Sequence, residues 1–214
     1  SLTPQPDEDI TMWYGNSFGV IKSPRSITVD GITHPSAVFK SIATLATLGI
    51  APARVESVDQ RYVITGAESY TLADDGEWVI SYATTDKPVD EVKDRIIADI
   101  KAYVGALLMP SDWRVIRASE TGESLGDWGT WRAAVREKGN SLEAGVQSFA
   151  SLDACRSWEN HSCQEERRIV TTDEDGNETI TEDTEIVNRT VNKSHWDYPL
   201  APDDTPDPLH VRWL

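Results

Sequence analysis

From Ser26 to Thr33 the chain alternates polar and apolar residues around an Asp30-Gly31 pair, the signature of a two-stranded hairpin, which His34-Pro35 closes. Val38, Ile42, Leu45 and Leu48 then recur at three- and four-residue spacing. That spacing predicts a short helix over 37–48, with Gly49 as the residue that leaves it. Strand texture resumes in Arg61-Tyr62-Val63-Ile64 and Trp78-Val79-Ile80-Ser81-Tyr82, on either side of the turn residues Asp74-Asp75-Gly76. Residues 13–86 therefore read as a small α+β domain. Residues 1–12, with Pro4 and Pro6 among polar neighbours, read as an extended arm.

The clearest helix follows. Val89, Val92, Ile96, Ile100, Val104 and Leu107 form one apolar stripe behind Pro88, with Asp90 and Glu91 at the positive helix end and Met109-Pro110 as the stop. Its length is about 30 Å. Ser111 to Gly126 reads as a turn-rich connection, Trp128 to Arg136 as a second helix, and Ser141 as the N-cap of a third running toward Leu152. Together they make a helical domain over 87–155. In 156–198, Arg167 to Thr172 and Glu178 to Thr181 flank an Asp-Gly turn and predict a β-ribbon too poor in apolar residues to stand alone. The end, 199–214, holds Pro199, Pro202, Pro206 and Pro208 and is expected to be extended and never a central strand. The fold class expected is α+β.

Charge narrows the function. The 214 residues carry 20 Lys+Arg against 36 Asp+Glu, a formal charge of −16. A surface of that sign repels phosphates and anionic lipid, so nucleic acid is excluded as a partner. Half of the excess lies in 171–214, where eleven acids meet three bases. Eight Trp residues supply large apolar surfaces, so a real core is expected. No apolar run approaches the roughly 18 residues of a membrane span, and membrane insertion is not expected. The acidic, proline-bearing start differs from a secretory signal, and Ser1 fits removal of an initiator Met from a chain made in the cytoplasm.

The chemistry-bearing residues are few. Asp173-x-Asp175-x-Asn177 matches the opening of a calcium loop, but Glu178 stands where that loop needs Gly and Thr184 where it needs a bidentate Glu. An ordinary hairpin turn is the preferred reading. Cys155, His161 and Cys163 supply three ligands where structural zinc takes four, so the two cysteines are expected to be free or bonded to each other. No phosphate loop, nucleophile elbow or His-Glu-x-x-His helix occurs. No catalytic residue, metal or cofactor is assigned. Asp112-Trp113-Arg114 and Arg117-x-x-Glu120 are read as structural in preference to a docking surface, with Trp113 packed under the helix pair, Asp112 capping the next turn and Arg117 meeting an acid. Trp196, Tyr198, Arg212 and Trp213 are the candidate docking residues, because aromatics and Arg in a proline-rich segment cannot bury themselves locally and such residues dominate binding hot spots.

The run Ala106-Leu107-Leu108-Met109-Pro110-Ser111-Asp112-Trp113-Arg114-Val115-Ile116-Arg117-Ala118-Ser119-Glu120-Thr121-Gly122, followed by Trp131-Arg132-Ala133-Ala134-Val135-Arg136, resembles a module of tailed-bacteriophage tail proteins. His34-Pro35 and the helix to Gly49 resemble the small domain that often precedes it, so the resemblance covers roughly 25–140. The chain departs from the pattern at Met109-Pro110 and at Gly126-Asp127-Trp128. The resemblance implies a non-enzymatic structural component of a phage tail, in the baseplate or fibre region, made in the host cytoplasm and carried in the virion. Its partners would be other tail proteins or further copies of itself. The alternatives it leaves are a fibre-assembly chaperone absent from the particle and a module that binds the host surface.

Overall fold

The computed structural model describes residues 12–172, 176, 178–196, 198–204 and 210–213, the last four in backbone only. The chain is α+β and divides into two compact units, Ser1–Asp86 and Lys87–Leu214.

In the first unit, β1 (Trp13–Gly15) pairs antiparallel with β2 (Gly19–Ile21) and with β5 (Ile50–Val55). Gly15 is required here: a Cβ would meet Ile50 Cγ1 at 2.9 Å. The expected hairpin is β3 (Ile27–Val29) and β4 (Ile32–His34), turned by Asp30 and Gly31, both at positive φ as a primed turn demands. The helix expected over 37–48 is broken at Ser41, whose extended backbone separates a 3₁₀ turn, Ser36–Lys40, from α1 (Ile42–Thr47). Ser41 Oγ accepts the Thr44 N–H, so α1 gains a cap where a continuous helix would have none. Gly49 leaves α1 at φ +71. β6 (Val63–Leu72) and β7 (Trp78–Asp86) form the second expected hairpin, and β7 joins β5 in parallel, giving the order β2-β1-β5-β7-β6. Trp13, Ile21, Ile27, Phe39, Leu45 and Ile50 make the core.

The second unit opens with α2 (Val89–Leu108), whose stripe buries Val92, Ile96 and Ile100 as expected, and which gives way at Met109-Pro110 to a 3₁₀ turn, Met109–Ser111. The expected connection 111–126 is instead mostly helix, α3 (Asp112–Thr121), ended by Gly122 at φ +74. The two helices expected after it are one, α4 (Asp127–Gln147). Gly139-Asn140-Ser141 does not interrupt it because Gly139 is a packing residue: a Cβ there would lie 2.7 Å from Val104 Cγ2 of α2. A further helix, α5 (Leu152–Glu159), caps on Ser151 and takes up the start of the expected ribbon. The ribbon itself is β8 (His161–Thr172) against β9 (Glu178–Val191), and β10 (His210–Trp213) adds to the other side of β8 in the order β10-β8-β9. Within 199–214 the 210–213 backbone is an edge strand of the ribbon and not a central one. The arm 1–11 and the loop positions Asp173, Asp175 and Asn177 lie outside the described residues.

Two buried carboxylates are paired in this unit, one between helices and one within the ribbon. Arg95 of α2 grips the buried Glu159 of α5 with both amino groups, at 2.6 and 2.8 Å. Glu165, also buried, accepts from Arg167 and from Arg189 across the ribbon. Pairing of this kind is what allows carboxylates to leave water.

Candidate protein-docking surface

The corner between α2 and α3 is built around Arg132, a buried side chain of α4. An α-helix ends in carbonyls without intrahelical donors and with a partial negative charge. Arg132 Nη1 donates to the Leu108 carbonyl at 2.8 Å and to Ser111 Oγ, and its Nη2 donates to Asp112 Oδ1 at 2.7 Å. Ser111 Oγ in turn donates to Leu108 O at 2.7 Å. The end of α2 and the start of α3 are thereby held by one guanidinium. Asp112 does not cap α3, as expected from sequence, but serves as this cation's partner.

Beneath the corner, Trp131 packs with Leu108 and Val135, and its Nε1 donates to Pro199 O at 2.9 Å. Trp128 meets Trp131 edge-on, centroids 5.5 Å apart. These two rings of α4 occupy the space in which Trp113 was expected. Trp113 consequently stands outside, 51% exposed, and the expectation that it packs under the helix pair is corrected. Arg114 lies over both Trp128 (4.2 Å) and Trp113 (4.7 Å) and approaches Asp203 at 3.7 Å. Arg117 does meet an acid, Glu123, at 3.4 Å.

The outer side of α3 has a second property. Trp113 and Ile116 follow one another at i and i+3 on α3 and, with Met109 of the 3₁₀ turn just before it, are exposed by 51%, 59% and 67%. No residue of α3 is buried. Large apolar side chains facing water along α3 and the turn that leads into it are the composition of a contact surface. Two small concavities of about 240 and 300 Å³ flank Arg114, sharing Trp113 and Trp128 in their walls. Both fall at or below the smallest volumes typical of small-molecule sites.

The sequence-derived docking residues are placed differently from this surface. Tyr198 is half-buried within its own unit, packed on the Leu108–Trp131–Val135 cluster and 5.3 Å from the Tyr103 ring. Burial, reinforced by Tyr103, Glu143 and Asp99, pushes its phenol up to about 12. Trp196 is also half-buried, its ring 5.5 Å from His161. Tyr198 is thus partly covered by the apolar surface that α2 and α4 offer it, and Trp196 lies against the start of the ribbon. Arg212 and Trp213 belong to β10, and their side chains lie outside the described residues. Cys155 and Cys163 are both free and buried, and burial with the nearby Glu159 pushes the Cys155 thiol up. Among the described residues no group of three or more His, Cys, Asp or Glu side chains is placed to share a metal ion, and no helix is long and apolar enough to cross a membrane.

The class that these observations define is an α+β protein bearing an exposed aromatic-aliphatic helix face. The chain matches no protein-family model, and neither a curated protein nor a solved structure is found to be similar to it.

Proposed function

We propose that this chain is a non-enzymatic structural component of a phage tail, in the baseplate or fibre region, and that it joins other tail proteins through the outer face of α3. The observation that carries the reading is the Met109, Trp113 and Ile116 stripe. It falls inside the run whose residues resemble the phage tail module, and Arg132 of that same module holds the helix bearing it. A rigid helix presenting an aromatic anchor beside an Arg suits a partner groove lined by apolar side chains. Mass spectrometry of purified virions tests the function: the chain should be present in fixed proportion to the other tail proteins. Its absence from the particle would instead support the assembly-chaperone reading.

One observation favours a second reading, a module that binds the host surface. In the first unit, Tyr14 stacks on Tyr70 at 4.4 Å, and a cavity of about 390 Å³ beside them is walled by Tyr70, Tyr82, Lys22 and Glu68. Aromatic faces with charged hydrogen-bonding groups at the rim suit a sugar ring. Loss of cell adsorption on Tyr70→Ala, with the fold intact by circular dichroism, would support it; unchanged adsorption would remove it.

A further inference from the structure

β9 is the outermost strand of its sheet, and among the described residues nothing pairs with its far edge. From Thr184 to Val191 it runs in unbroken register against His161 to Arg168; the register shifts only beyond, between Arg168 and Val170. These eight residues, Thr-Glu-Ile-Val-Asn-Arg-Thr-Val, contain no Gly, Pro or Lys, the residues with which free edges are ordinarily blunted. Over this stretch the edge is in continuous register, rich in β-formers and, among the described residues, open.

Its charges choose the occupant. On β9 the acids Glu178, Glu182, Asp183 and Glu185 lie toward the ribbon tip, and Arg189 lies toward the root. A parallel neighbour of the same sequence would set acid beside acid. An antiparallel neighbour centred on Val187 sets Glu185 opposite Arg189 of the second copy, Thr184 opposite Thr190, and Ile186 opposite Asn188. Symmetry repeats each pair, and opposite charges and Thr–Thr contacts directly across an antiparallel ladder are the stabilising combinations. Arg189 has the means: its Nε–H is given to Glu165 at 3.0 Å, while the side chain remains 44% exposed.

We propose that the outer edge of β9 pairs with the same edge of a second copy of this chain, antiparallel and centred on Val187. The pairing is independent of the function proposed above, since it draws on the ribbon alone. Sedimentation equilibrium of the full chain in about 0.15 M salt, where net-charge repulsion is screened, should show a reversible dimer. Glu185→Lys, an exposed change that leaves the Arg189–Glu165 contact in place, should weaken it about ten-fold by placing a cation opposite Arg189 twice. Val187→Cys should form a disulfide-linked dimer with oxidised glutathione, because only a residue on the two-fold axis meets itself; Ile180→Cys, off the axis, should not. A chain that stays monomeric throughout, a dimer indifferent to Glu185→Lys, or equal cross-linking through position 180 would each overturn the proposal. Folding of every variant is checked by far-ultraviolet circular dichroism.

Discussion

Arg132 shows how much structure one side chain can fix. It neutralises the end of one helix, anchors the beginning of the next, and does so from a buried position on a third. Arg132→Met keeps the aliphatic stem and removes every donated bond, so stability should fall by about 2–4 kcal/mol, read from the denaturant midpoint. Arg132→Lys should recover less than half of that, since an ammonium cannot present the planar fork. Gly139 is the steric counterpart. Gly139→Ala gains about 1 kcal/mol of helix propensity but drives a methyl to 2.7 Å from Val104, and overpacking at such a contact costs about 1–3 kcal/mol. A net loss is expected, and Val104→Ala should cost less in the Gly139→Ala background than alone. Tyr198 supplies a pH dependence. Its pKa is raised by burial to about 12 from an ordinary 10, so its contribution is complete below pH 10 and disappears as the pH climbs toward 12. Alkaline unfolding followed by fluorescence should therefore move to higher pH in Tyr198→Phe. None of these roles is legible locally: the partners of Arg132 lie 20 to 24 residues away, and Gly139 reads as a helix break until α2 is laid against it.

Elements whose cause lies within a few residues are the ones that sequence reveals. The Asp30-Gly31 hairpin, the Gly49 exit and the α2 stripe each follow from adjacent residues and stand as expected. α3 escapes because it buries nothing, so no apolar period with a core side marks it. The same fact makes its outer face testable. Trp113→Ala, half-exposed and lying under Arg114, should change stability by less than about 0.5 kcal/mol while sharply reducing retention of the chain on purified tail assemblies. Trp131→Ala, by contrast, empties the space beneath the corner and should cost about 3–5 kcal/mol. The placement of the aromatic tail segment is hidden for a related reason: composition shows that Tyr198 needs cover, but only the packed helices show that part of the cover lies in its own unit.

At the scale of the molecule, the division after Asp86 has a direct consequence. Each unit has its own buried cluster, so fragments 1–86 and 87–214 should each unfold cooperatively when expressed separately, checked by near-ultraviolet circular dichroism of their tryptophans. Within the second unit the Arg95–Glu159 grip ties α5, which leads into the ribbon, to α2, a link between residues 64 positions apart that no local pattern announces. The strand order β10-β8-β9 also determines how far an assembly built on β9 can grow. Two copies joined through β9 would make a six-stranded sheet with β10, four residues long, at both ends. Among the described residues each copy would have consumed the one long free edge of this sheet, and a four-residue strand leaves little on which a third copy could template. Growth through the ribbon would terminate at two by geometry: a point-group dimer and not the seed of a filament.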